Sequence, residues 1–417
     1  MCGRAGWKSA GPPGSDRFHR PLRAWRYTNK KWRNDQLKKI TALTLACSLA
    51  LGLFLSGCAM DESGTSGSAA SGSATGNSSS SAADGDRVVN VCSWGEYIDT
   101  SLIEKFEQET GITVNYTTVP SNEELYAQLE LGGVDYDVIV PSDYMIARLI
   151  EEDRLQKLDY SKIPNYEKID PQYKNLSFDP NNEYSVPYTW GTLGIIYNTK
   201  MVKEPIDSWE VMFSDEYAGN ILLIDNSRDA FAMALYYLGY DVNTTDESQI
   251  REAAQLVADA KARGVYGGQG MDEVFQIMEG GNMAIATYYA GDFLTMYENN
   301  PDLAFCIPKE GSNWFVDAMC VLKDAKHVDE AHEWINFIAS TDSNLANMDY
   351  IWYASPNAEA LEQYPAYYEE TYGEPLDQEL YQIMAAPKEV LDRCTMYENL
   401  PAETLALYNE LWIELGI

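Results

Sequence analysis

From Arg87 to Ala339 the chain alternates between short β-branched runs and longer amphipathic ones. That alternation limits its possible folds more than any other property. Arg87–Ser93, Ile112–Tyr116, Tyr136–Val140, Thr192–Tyr197, Asn220–Ile224, Asn282–Tyr289 and Phe315–Leu322 read as strands. Between several of them lie helical stretches. Ser101 to Glu104 has the spacing of a capping box opening a helix that Gly111 stops, and Asn122–Leu131 is closed by Gly132-Gly133. Phe231–Leu238 and Asp329–Ala339 read as two more helices. Strands that alternate with helices build a mainly parallel sheet covered on both faces. Ligands of such sheets sit beyond the carboxyl ends of the strands, so residues just after each strand are the candidates for function.

At 417 residues the chain exceeds what a single core usually organises, so two domains are expected. A net charge of −34 excludes a nucleic-acid partner, since nothing could neutralise a run of phosphates. It favours a cationic ligand, although acidity also serves solubility alone. The charge is uneven: residues 1–57 carry 11 Lys/Arg against 2 Asp/Glu. Lys38-Lys39 precede an apolar run from Ile40 to Leu55, which ends Leu-Ser-Gly-Cys58. This is the layout of a secretory signal, too short for a spanning helix. The last four residues resemble the bacterial lipobox, with Cys58 as the lipidated residue. Residues 1–36 fit no signal pattern and read as an over-extended start or a long n-region. Residues 58–86 are rich in Ser, Gly and Ala and read as a flexible tether.

Four cysteines follow the tether: Cys92, Cys306, Cys320 and Cys394. Their spacing supports no zinc site and leaves one disulfide open; buried free thiols are expected. His327 and His332 fall on a helix expected at the surface, so both are read as solvated. There is no P-loop, GxGxxG or HExxH.

Aromatics and carboxylates recur together at the strand ends: Trp94 with Glu96 and Tyr97, Asp143 with Tyr144, Tyr288 and Tyr289 with Asp292, and Phe315 with Asp317. A flexible di- or polyammonium ligand needs both types. Each ammonium takes a carboxylate, and the methylene stem takes ring faces that also attract the charge. Acids that begin helices also serve as N-caps, a competing role for Asp99 and Asp229.

SWGEYID at 93–99, YDVIVPSDY at 136–144, SVPYTWGTLGIIYN at 185–198, AGD at 290–292 and YASPN at 353–357 together resemble the bacterial spermidine/putrescine-binding proteins. The likeness covers nearly all of residues 87–417. It implies a two-lobed, type II periplasmic-binding-protein fold joined by crossing strands, with lobes of 87–193 plus 312–361 and 194–311 plus 362–417. It implies a monomeric lipoprotein, anchored outside the cytoplasm, that delivers putrescine or spermidine to the permease of an ABC importer and needs no cofactor or metal. By position it assigns ligand contacts to Trp94, Glu96, Tyr97, Ser142, Tyr144, Asp229, Tyr288 or Tyr289, Asp292, Phe315, Asp317 and Tyr353, with Glu96 gripping a terminal amine. Two departures stand out. Asn226 replaces an acid of the spermidine binders, and a C-terminal Gln of those proteins has no clear counterpart around Tyr397. Both putrescine and spermidine are expected to bind, within a hundredfold of each other. The rivals are another small cation or an uncharged solute on the same fold, and a Cys-dependent enzyme built on Cys92.

Overall fold

The computed structural model describes residues 87–416; the signal segment, Cys58 and the tether lie outside them. Ten strands form the sheet: β1 (Val88–Trp94), β2 (Thr113–Val119), β3 (Val138–Ile139), β4 (Ser185–Asn198), β5 (Ile221–Ile224), β6 (Tyr266–Gly270), β7 (Ile285–Tyr289), β8 (Leu303–Cys306), β9 (Ser312–Val321) and β10 (Cys394–Thr395). The order is β2-β1-β3-β9-β4-β7-β5-β6, with β10 beside β9 and β8 beside β4.

Each half is parallel at its heart. β1 pairs in parallel with β2 and β3, and β5 with β6 and β7. The antiparallel strands β4 and β9 join the halves. β4 pairs with β9 through Thr192, then with β7 from Leu193 to Tyr197. It is buried along its whole length apart from half-buried Tyr197, as a strand covered on both faces must be. Only its second half was expected as a strand, because Pro187 and the aromatic run before Thr192 obscure the pattern. A register shift between Pro187 and Thr189 absorbs the proline and bulges at Tyr188.

Local chemistry fixes where the helices begin. Ser121 Oγ accepts from the Glu124 amide and opens Asn122–Leu131, and Asn226 Oδ1 accepts from the Asp229 amide and opens Ser227–Leu238. Gly111, at φ 70°, closes Ser101–Thr110. The capping box expected at Ser101 is absent. Thr100 is the cap and makes no side-chain bond, while the Ser101 amide donates to Asp99 Oδ1 at 2.9 Å. The acid two residues upstream outcompetes the hydroxyl for the free amides.

Phe106 and Trp334 meet edge to face at 5.1 Å in the core that backs β1 and β3. Trp209, Phe231 and Tyr408 are buried in the core behind β5 and β7. His332 corrects the surface reading, because it is 2% exposed. Its Nδ1 lies 2.7 Å from the Val328 carbonyl, and its Nε2 accepts from the Asp159 amide at 2.9 Å. The inward face of Val328–Ile338 is wide enough to take it beside Ala331, Trp334 and Ile335. Cys92 and Cys320 are buried free thiols as expected, whereas Cys306 and Cys394 are only half-buried. Among the described residues no helix is long and apolar enough to cross a membrane.

Candidate functional site

Three strands of the sheet end directly in helices whose first turns carry acids. β3 leads through Pro141 and Ser142 to Asp143, β5 through Asn226 to Asp229, and β7 to Asp292. A helix N-terminus favours negative charge, so these carboxylates are tolerated where they stand. β1 contributes Trp94 and the turn to Tyr97, and β9 contributes Phe315 and Asp317. All of these line one cavity of about 90 Å³ between the two halves. Its wall carries five carboxylates (Asp143, Asp229, Asp272, Asp292, Asp317), nine aromatic rings and a single cation, Arg228.

Asp317 is 2% exposed. Its Oδ2 accepts from Trp94 Nε1 at 2.9 Å and from the Tyr97 hydroxyl at 2.8 Å, while buried Oδ1 has no hydrogen-bond partner. Burial pushes this carboxyl up to about 6 against the opposing pull of Ser142, Tyr97 and Trp94. Asp292 Oδ2 accepts from the Tyr353 hydroxyl at 2.8 Å. Burial raises it to about 7, and the charges of Asp272 and Glu96 add to the rise. Asp229 has both oxygens engaged, Oδ2 by Tyr289 at 2.7 Å and Oδ1 by Tyr397 at 2.9 Å. Burial holds it near 6. Asp143 accepts from the Tyr144 and Val316 amides, and burial lifts it well above the carboxylate range.

The rings make a continuous box. Tyr97 meets Tyr353 edge to face at 5.0 Å, Phe315 lies 6.2 Å from Tyr353, and Tyr289 lies 5.5 Å from Phe315. Tyr288 and Tyr289, left as alternatives by the sequence, both face the cavity. At another corner the Arg228 guanidinium, 3% exposed, stacks over Tyr397 at 4.8 Å and Tyr144 at 5.3 Å.

Every residue assigned from the sequence lies in this wall except Glu96. Glu96 is exposed, in a left-handed conformation at φ 51°, and reaches the cavity only through its charge on Asp272 and Asp292. Ser142 does more than line the wall. Its amide and hydroxyl are clasped by Asn122, and its backbone bridges to Asp317. Sequence reasoning left Asp143, Asp272, Arg228 and Tyr397 out of the site. Asp143 stood in an aromatic–acid pair and could have been found. Asp272 follows β6, whose glycine-rich sequence YGGQG carries no strand signal.

Such an arrangement recognises a small, extended, multiply charged cation. Unpaired carboxylate oxygens take ammonium groups, and ring faces take the carbon chain. Burial pushes the Cys92 thiol up to about 11, the opposite of what thiolate chemistry requires. An anion would meet five carboxyl groups against a single cation.

The sequence pattern of the bacterial extracellular solute-binding proteins matches residues 101–372. The spermidine/putrescine-binding periplasmic protein of Salmonella typhimurium is 36% identical over 295 residues, covering 70% of this chain and 84% of that protein. Among solved structures, the spermidine/putrescine ABC transporter substrate-binding protein of Streptococcus pneumoniae is 34% identical, with a TM-score of 0.66 over 79% of this chain and 98% of its own. A lipoprotein of Treponema pallidum is 29% identical, with a TM-score of 0.68 over 79% and 99%. The fold and these likenesses agree: the chain belongs to the bacterial extracellular solute-binding proteins.

Proposed function

We propose that this protein is the substrate-binding component of an ABC importer for polyamines, holding putrescine or a close relative in the cavity between its lobes. The observation that carries this reading is the combination of five carboxylates with nine rings in one small cavity, with an unpartnered oxygen on Asp317. A neutral solute would leave those charges uncompensated, at a cost of several kcal/mol each for fully buried ions. The protein acts by binding and release and catalyses nothing. The test is a thermal-shift panel of putrescine, cadaverine, spermidine, γ-aminobutyrate, glutamate and a neutral sugar. Stabilisation by the first three alone supports the reading, and stabilisation by the sugar or by glutamate contradicts it.

The lobe boundaries expected from the sequence are retained in this proposal, with β4 and β9 as the hinge. Like-charged groups meet across the cleft, since the charge of Glu96 raises the carboxyls of both Asp272 and Asp292. A bridging cation would relieve that repulsion and favour the closed form. The mature protein would be a monomer held at the outer face of the membrane through a lipid on Cys58. Labelling with a radioactive fatty acid should mark the natural protein and leave a Cys58→Ala variant unmarked; a marked variant would refute the anchor.

A further inference from the structure

The carboxylates of the cavity differ in what they leave for a ligand. Asp317 has a buried oxygen with no partner. Asp292 has one oxygen engaged, and its other takes no hydrogen bond among the described residues. Asp229 is different, because the phenol hydroxyls of Tyr289 and Tyr397 occupy both of its oxygens. On the same segment the Asn226 carbonyl is already spent on the helix cap, accepting from the Asp229 amide at 3.1 Å. The corner around Asn226 and Asp229 therefore offers a ligand less free acceptor capacity than Asp317 or Asp292 does. Tyr397 does not leave it easily. The buried Arg228 cation stacks on its ring at 4.8 Å, and the ring packs edge to face with Tyr144 at 6.2 Å.

We propose that Tyr397 sets ligand length: by holding Asp229 and filling that corner, it confines the site to short diamines and disfavours a third ammonium. The inference rests on the polyamine reading above and assigns its ligand as a diamine. Tyr397 is a specificity residue in this account, and its ring substitutes within the wall for the contacts a longer ligand would make.

Calorimetric titration of the natural protein, Tyr397→Phe and Tyr397→Gln with putrescine and with spermidine tests it. The natural protein should bind putrescine at least tenfold tighter than spermidine. Tyr397→Gln, which removes the ring and frees Asp229, should raise the spermidine-to-putrescine affinity ratio at least tenfold. Tyr397→Phe keeps the ring and frees one oxygen, so it should raise the ratio by about twofold to fivefold, and it serves if the Gln variant does not fold. Spermidine binding as tight as putrescine in the natural protein, or ratios unchanged within twofold in every variant that folds, would overturn the proposal while leaving the polyamine reading intact. Failure of both ligands to bind the natural protein would overturn the polyamine reading and this proposal with it.

Discussion

Asp317 and Glu96 show how burial decides what an acid contributes. Both follow from the same aromatic–acid pattern in the sequence, yet one is buried with an unpartnered oxygen and the other is exposed on the rim. Asp317→Asn should weaken putrescine binding at least tenfold, because losing one member of a desolvated pair strands the other, a cost of ~2–5 kcal/mol. Glu96→Gln should cost less than threefold, as a screened rim charge does. Titration calorimetry on both variants checks the contrast, and equal losses would place Glu96 in the wall. The acids also set a pH dependence. Asp229 and Asp317 ionise near 6 and Asp292 near 7 in the folded protein, above the ordinary carboxylate value. Their neutral forms are favoured on folding, so the stability they contribute to the free protein is present at low pH and lost as pH rises through 6 to 7. An ammonium ligand favours the ionised forms and offsets that loss. Putrescine affinity should therefore fall as pH drops from 8 to 5.5, and the thermal shift it produces should be larger at pH 8 than at 5.5. A shift that is greatest at pH 5.5 would contradict the assignment.

At the scale of elements, the aromatic box depends on glycines that let strands and helices approach. A Cβ on Gly291 would fall 2.3 Å from Tyr353 Cδ2. Tyr353 is 3% exposed and packed against Tyr97 and Phe315, so it has little room to yield. Gly291→Ala should destabilise the fold by ~1–3 kcal/mol and weaken putrescine binding at least fivefold through the displaced Tyr353–Asp292 pair. Chemical denaturation alongside calorimetry would separate the two effects. Strand and helix order was legible because period and punctuation carry it: Ser121, Gly111 and Gly132 stand where free amides and carbonyls need them. Less legible was anything decided by tertiary contact. The first half of β4 carries a proline that only a bulge reconciles with its ladder. His332 sits inside because its ring completes two backbone hydrogen bonds. Tyr397 reaches Asp229 from 168 residues away, and no local pattern encodes that meeting.

For the molecule as a whole, the net charge of −34 acts before contact. It raises the local concentration of cations and speeds their capture, an effect that salt screens within about 10 Å at 0.1 M. The association rate for putrescine should fall several-fold between 0.02 and 0.5 M salt in stopped-flow measurements, with a smaller change in the dissociation rate; a salt-independent association rate would argue against steering. The site itself joins the two halves of one sheet, and its acids come from both. The most direct test is therefore calorimetric titration of putrescine into the natural protein and into an Asp292→Asn/Asp317→Asn double variant at pH 8. One site per chain, with binding reduced at least a hundredfold in a double variant that remains folded, is the expected result. Undiminished binding in that variant, or no putrescine binding by the natural protein, would contradict the account.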